Sequence, residues 1–350
     1  MMERLKTETK SIKANNLKNF CKEAFIHAGV PGSDASLMAY VLVEADLRGN
    51  ESHGTMLLSK FVDALLTGKL NPHANIKVTR ETRSTAVING DNSACGLAAY
   101  KAMDMAIKKA KDFSLGAAAV RNVGQCGALA SFTTLAVEHN MIGFMTAQGR
   151  ASVPPFGGKT RLLNTSPWSF AIPAGKELPI VLDMASTVVS HNEIALAAMK
   201  KEKIPSTWLL DKDGKPTDDP ADADTGFQSW IGGYKGYGLA VVDQVLAGIL
   251  GSGSFIGSVF PDSETFRRGH FVMAIDVESF MPVKEFTSQV DKFIKKLKAS
   301  ERVEGVAEIL LPGERGGKLK QERLQSGIPI IMPVWKQFEK MGKELNINID

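Results

Sequence analysis

The chain has 350 residues, 44% of them hydrophobic and 23% charged, the make-up of a soluble globular protein of about two domains. A net charge of +4, with Lys and Arg scattered rather than striped, argues against a nucleic-acid partner and favours a small anionic ligand. No membrane span is expected: the longest apolar runs, such as LAVVDQVLAGIL, are broken by charge or glycine and fall short of the ~20 residues that cross a bilayer.

The opening MMERLKTETKSIKANN is charged and lacks the apolar centre of a signal peptide. Cys21, Cys95 and Cys126 form no CxxC pair, which indicates reduced thiols and a cytoplasmic protein. Leu17, Phe20, Cys21 and Phe25 recur at helical spacing until Gly29 and Pro31 stop the run. Ser33 and Asp34 then offer an N-cap for a second helix reaching Gly49, and a third runs from Thr55 to about Leu66. Between the last two lies RGNESHG, a corner that either needs small capping residues or carries His53 as a proton donor and acceptor. After Pro72 the rhythm changes to short strand-like runs: TAVING, GAAAVRN, IGFMTA, SFAIPA, PIVLDMA and HFVMAIDV. Helical candidates at about 95–112, 128–140, 187–200 and 236–250 alternate with them, which predicts an α/β or α+β sheet domain. The polar stretch 209–226 reads as a surface loop, with Asp211, Asp213 and Gly214 in a turn rather than a calcium loop. From about Pro282 the tail reads as charged amphipathic helices.

No GxGxxG fingerprint occurs; GSGSFIG (251–257) is off by one residue and reads as a helix C-cap and loop. P-loop, HExxH, GxSxG and zinc-type spacings are also missing, and six histidines lie singly along the chain. Four glycine-rich or polar stretches remain as candidates. In RGNESHG, a lone histidine at a corner is more often structural than catalytic. The glycines of RNVGQCGAL (121–129) sit at a strand-to-helix turn, where backbone N–H groups suit a phosphate or simply make the turn tight. Asp183, ending the apolar run IVLD, is either a helix cap or the partner that orients a histidine. In GGYKGYGLA (232–240) four glycines surround Lys235, which leaves it free to meet an anion or marks a flexible loop.

Taken in order, these stretches resemble the type-2 malate/L-lactate dehydrogenase family, whose members reduce 2-keto acids and cyclic imine carboxylates. The resemblance rests on DLRGNESHG (46–54), Gly68-Leu70-Pro72, PPFGGKTRLLNTSPWSFAIP (154–173), VLDMAST (181–187), GGYKGYGLA, GHFVMAID (269–276), LPGE (311–314) and ERLQSGIPI (322–330). It implies a mixed α/β (α+β) sheet that binds nicotinamide without a Rossmann fold, and a helical domain built from both chain ends. The segments would be 1–75 (helical), 76–281 (cofactor-binding sheet) and 282–350 (helices packing on the first). It further implies a homodimer, NAD or NADP as cofactor with NAD favoured, and a small anionic 2-hydroxy or 2-keto acid as substrate. His53 inherits the role of general acid/base, with Ser52 and Asp183 assisting. Cofactor contacts map to Gln125, Gly127, Ala128, Leu129, Thr165, Met184, Ala185, Ser186, Lys235, Gly236, Pro312, Gly313 and Glu314.

The sequence departs from its relatives at two places. Many of them carry a histidine where Gln125 stands, and glutamine cannot carry a proton at neutral pH. Many also carry an arginine, suited to a substrate carboxylate, where Leu57 stands. Three readings follow. Another cation (Arg48, Lys60, Arg121 or Arg150) holds the carboxylate; or the substrate is less charged or bulkier, with Leu57 against it; or the chain is a catalytically silent, dimeric ligand-binding relative. The second is preferred, so Arg48, Leu57 and Gln125 are the expected substrate contacts.

Overall fold

A computed structural model describes residues 8–252 and 268–349. Its centre is a seven-stranded sheet. In chain order the strands are β2 (Lys77–Glu81), β3 (Thr85–Ser93), β4 (Leu115–Val123), β5 (Met141–Ala147), β6 (Trp168–Ile172), β7 (Ile180–Met184) and β11 (Arg268–Asp276). They lie side by side as β2-β3-β4-β11-β5-β6-β7. Only the β3/β4 pair is parallel, and the connection it requires is α4 (Leu97–Phe113). Every other neighbour is antiparallel. The sheet is therefore mixed, and the expected α/β class without a Rossmann arrangement is what the chain forms.

Alternation along the central strands decides what is buried. Ala118 and Val120 of β4, and Val272 and Ala274 of β11, are fully or almost fully buried in the main core, with Met103 and Ala106 of α4 and Phe132 of α5 (Ala130–Val137). Gly116 and Gly143 permit that close packing: a Cβ on either would meet the backbone of α4 or α5 at 2.0 Å and 2.3 Å. The other side of β4 and β11 carries α7 (Tyr234–Asp243), a π-helical segment (Gln244–Ile249) and the short α8 (Leu250–Ser252).

The same core continues into the terminal helices α1 (Ala14–His27), α2 (Gly32–Leu47), α3 (Leu58–Leu66) and α11 (Met332–Leu345). The chain ends are joined directly: β1 (Thr9–Ile12) pairs antiparallel with β12 (Ile328–Ile331), and the rings of Phe20 and Phe338 lie 5.4 Å apart. Within the tail, α10 (Glu314–Ser326) packs on α2, whereas α9 (Val283–Lys298) sits against the turn between β6 and β7. There Asp291 accepts the backbone N–H groups of Gly175, Lys176 and Glu177.

Some local expectations change. The second helix begins at Gly32 with Pro31 as its N-cap, one residue ahead of Ser33-Asp34, and no side chain caps it. The stretch 209–226 is more than a loop: β8 (Leu209–Leu210), β9 (Pro216–Thr217) and β10 (Phe227–Gln228) form a small sheet beside α6 (His191–Lys200), with a 3-10 turn at Pro220–Asp224. Its Asp211 is the expected turn residue, accepting from the N–H groups of Asp213 and Lys215. Most of GSGSFIG lies outside the described residues. No described helix is long and apolar enough to cross a membrane.

Candidate active site

The corner quoted as RGNESHG is held by a buried carboxyl. Asp46, near the end of α2, accepts the Thr55 backbone N–H at 2.9 Å and the Thr55 hydroxyl at 2.5 Å. Gly54 is required beside it, because a Cβ there would lie 1.9 Å from Asp46 Oδ1. Burial pushes the Asp46 pKa up to about 7. Arg323 of α10 donates to the Asp46 carbonyl and to Glu51 Oε1, tying the corner to the tail. Between these anchors the chain makes two 3-10 turns, Glu51–His53 and Thr55–Leu57. Ser52 is buried, with its Oγ 3.0 Å from His53 Nδ1 and 3.3 Å from Asn50 Oδ1. Asn50 Oδ1 only accepts, so the Ser52 proton goes there and the Ser52 lone pair receives Nδ1–H. That leaves His53 Nε2 as the bare nitrogen.

His53 lines a cavity of about 170 Å³ together with Gln125, Cys126, Gly127 and Thr165. Lys60 and Arg150 stand at its edge and Arg268, half-buried, belongs to its wall; no carboxylate lines it. Among the described residues none of the three cations has an ion-pair partner. Burial, and then repulsion by Arg268 and Arg150, lowers the Lys60 pKa. Burial and then Arg150 and Lys60 hold His191, at the start of α6, below the usual imidazole range. Burial pushes the His53 pKa down to about 4, so its ring is neutral at pH 7.

A second cavity of about 600 Å³ is lined by Arg48, Gly49, Glu51, Ala128, Asp183, Glu193, Gly313, Arg315 and Gly316, among others. The segments 48–53, 125–130 and 190–196 contribute to both cavities. Its size falls within the ~300–1,000 Å³ of small-molecule sites. Two guanidiniums and the bare backbone at three glycines suit the phosphates of a dinucleotide. Among the described residues no group of three His, Cys, Asp or Glu could hold a metal.

Comparison with known proteins settles the kinship. Residues 12–339 match the family model for malate/L-lactate dehydrogenase. The chain belongs to the malate/L-lactate dehydrogenase family. It is similar to the L-sulfolactate dehydrogenase of Methanocaldococcus jannaschii, at 37% identity over 97% of this chain and 98% of the relative. The malate dehydrogenase of Pyrococcus horikoshii is 35% identical, covering 95% of each chain. The crystal structure of malate dehydrogenase from Entamoeba histolytica superposes with a TM-score of 0.94 at 25% identity, over 97% of this chain and 99% of the other.

In this dehydrogenase the expected site residues divide among several places. His53, Gln125, Gly127 and Thr165 meet in the first cavity, whereas Arg48, Ala128, Asp183 and Gly313 line the second. Asp183 does not touch His53: its Oδ2 accepts the Ala130 N–H at 2.8 Å, so it caps α5. The imidazole's hydrogen-bond partner is Ser52 instead. Burial raises the Asp183 pKa to about 6. Leu57 lines neither cavity, because it packs into the core; the cation of that region is Lys60, one helical turn later. Leu129 is likewise a core residue. Ser186 is a strut, its Oγ donating to the Ser166 carbonyl at 2.6 Å, and Gly236 leaves room for the Ser186 carbonyl. Lys235 and Pro312 are exposed, Met184 and Ala185 half-buried. Glu314 is held by Lys298 and Lys318, which with the Leu311 N–H outweigh its burial and bring its pKa to about 2. Arg121 lines neither cavity. Arg268, His191, Gln148 and Asn164 also line the first cavity and carry no local sequence signal: Arg268 simply begins a strand, and His191 begins a helix.

Proposed function

We propose that the chain is a nicotinamide-dependent dehydrogenase of a dianionic 2-hydroxy acid of the malate or sulfolactate type, with His53 as its general acid/base. The observation that carries this reading is the cavity beside His53, where Lys60, Arg150 and Arg268 converge with no carboxylate to neutralise them. Three cations with no ion-pair partner among the described residues suit a substrate with two anionic ends better than a monoanion. The names of the relatives described above point the same way. The earlier preference for a less charged substrate lining Leu57 loses its basis, since Leu57 is in the core.

When bound, the nicotinamide takes up or supplies the hydride at the substrate's C2. The chain's own task is the proton at the C2 oxygen. Ser52 holds Nδ1–H, so His53 Nε2 is the lone pair that receives the hydroxyl proton during oxidation. In reduction the same nitrogen returns it. Gln125 donates and accepts hydrogen bonds in this cavity but does not exchange protons. Burial keeps the ring neutral in the free protein, and a bound dianion raises its proton affinity when the reduced product must be protonated.

The second cavity would hold the rest of the dinucleotide, with Arg48 and Arg315 toward its phosphates. Asp183 and Glu193 on the same wall support NAD over NADP, whose extra phosphate would meet these carboxylates. A homodimer is supported by the outer face of α7, the π-helical segment and α8. Leu239, Val242, Val245, Ile249 and Leu250 are exposed there at near-helical spacing, an apolar stripe that a second copy would cover. We place the protein in the cytoplasm on its three reduced, buried cysteines.

The experiment is consumption of NADH with oxaloacetate, 3-sulfopyruvate and pyruvate as acceptors. The reading predicts turnover of the two dianions with pyruvate far behind. Binding of NADH with no turnover of any of the three would support the catalytically silent alternative.

A further inference from the structure

Behind the first cavity lies a buried polar chain that ends on Asp243, the last residue of α7, where the π-helical segment begins. Thr146 Oγ1 on β5 is 2.8 Å from the Pro167 carbonyl and 2.5 Å from Asp243 Oδ1. A carbonyl can only accept, and a threonine hydroxyl has one proton. With that proton on Pro167, the proton in the short Thr146–Asp243 contact must come from the acid. Asp243 is fully buried and has no ion-pair partner among the described residues, surroundings in which an ionised carboxylate is costly.

The other oxygen of Asp243 orders a set of amides. Gly269 N–H donates to Gln148 Oε1 at 3.0 Å, so Gln148 must turn its nitrogen to Gln244 Oε1, 3.1 Å away. Gln244 Nε2 is thereby directed to Asn164 Oδ1 at 2.6 Å and Asp243 Oδ2 at 3.2 Å. Asn164 gives one of its own N–H groups to the Ala147 carbonyl at 3.2 Å. A backbone amide at one end and the acid at the other leave no freedom for an amide flip. Among the described residues one N–H on Gln148 and one on Asn164 are left over, and both residues line the first cavity.

We propose that Asp243 works as a neutral carboxylic acid, a positioning residue that holds Gln244, and through it the amide donors of Gln148 and Asn164, toward the substrate's carboxylate. This rests on the dehydrogenase reading above. Burial pushes the Asp243 pKa up to about 7 against its hydrogen bonds with Thr146, Ser166 and Gln244, which pull it down, so the acid form is at its limit near neutrality. The titratable groups on the elements around it are few. β5 and the 164–167 turn bring none; β11 brings Arg268, His270 and, at its far end, Asp276, α7 brings Tyr234, Lys235 and Tyr237, and the 125–129 turn brings Cys126. None of these hydrogen-bonds to Asp243 among the described residues.

The test compares Asp243→Asn, whose amide can both give a proton to Thr146 and accept from Gln244, with Asp243→Leu, which can do neither. Two readouts are taken: the infrared carbonyl band of a protonated carboxyl in the unliganded protein, and the pH profile of kcat/KM for oxaloacetate reduction. Of the wild-type band on the acid side of pH 7, to which Asp46 also contributes, Asp243→Asn removes the Asp243 share, and that share fades in the parent as pH rises through about 7. Asp243→Asn keeps kcat/KM within about twofold and stays flatter than the parent into alkali, whereas Asp243→Leu loses about tenfold, mostly in KM. An unchanged band in Asp243→Asn, or damage equal to that of Asp243→Leu, overturns the proposal. The infrared arm needs no substrate, so it still reads on Asp243 if no hydroxy acid is turned over.

Discussion

Gly54 and Asp46 compete for one volume: a Cβ on the glycine would sit 1.9 Å from Oδ1 of the aspartate. The carboxyl occupies that space to hold Thr55 by its N–H and hydroxyl, and the turn so fixed presents Ser52 and His53 to the cavity. Gly54→Ala must displace Asp46, breaking two buried hydrogen bonds. We expect a stability loss of about 2–3 kcal/mol. Turnover should fall further than the melting temperature alone would indicate, because His53 shifts with the turn. Denaturant unfolding alongside steady-state kinetics checks this; a variant with parental stability and turnover would show that the contact does not set the corner.

Lys60 and Arg268 approach the first cavity from α3 and β11, two elements far apart in the chain. Replacing either by Met removes one charge-assisted contact, typically about 1.5–3 kcal/mol. KM for oxaloacetate should therefore rise about tenfold or more in each variant. The poor substrate pyruvate, with one anionic end, should respond to one of the two replacements and not the other. Equal losses for both substrates in both variants would mean that the cations act on the fold rather than on the second anionic group.

His270, on β11, is almost fully buried, and among the described residues neither ring nitrogen finds a hydrogen-bond partner. Burial and then Arg268 bring its pKa down to about 3 from the ordinary 6.5. Between those values the unfolded chain binds the proton and the folded one does not, so this histidine's contribution is present above pH 6.5 and is lost as pH falls toward 3. Asp46 and Asp243, raised from 3.8 to about 7, act in the opposite sense, favouring the folded state as pH falls through that window. His270→Leu should leave stability at pH 7 unchanged or higher, with an advantage over the parent that grows as pH drops below 6.5. Thermal melts across pH check the sign; an advantage that shrinks toward acid would refute it.

What was legible in the sequence follows from how local each cause is. The period of Leu17, Phe20, Cys21 and Phe25 lies within one helix, and the alternation of HFVMAIDV within one strand, so both were readable. β2 was not, because Lys77–Glu81 is exposed throughout and shows no alternation. β12 and β1 pair only because the chain ends meet, a contact that no window of sequence contains. At the site, the family resemblance led to His53 and to the turn at Gln125, which do share a cavity. It also offered Asp183 as the histidine's partner, but a position after an apolar strand suits a helix cap as well, and in the structure this carboxylate accepts the Ala130 N–H. Leu57 stands where the family resemblance implies a cation, but the helix that follows turns it into the core and brings Lys60 round instead. Arg268 reaches the cavity across the sheet from nearly the other end of the chain, beyond any spacing rule.

The proton on the substrate's C2 oxygen is the step on which everything else depends, and His53 is the residue assigned to it. The most direct measurement is the initial rate of NADH consumption with saturating oxaloacetate in the parent and in His53→Ala, with NADH binding measured by fluorescence in both. A general acid/base typically contributes ~10²–10⁴ in rate. The account predicts a loss of that size in kcat, with NADH affinity and melting temperature little changed. A variant that turns over at close to the parental rate would remove the imidazole from the mechanism.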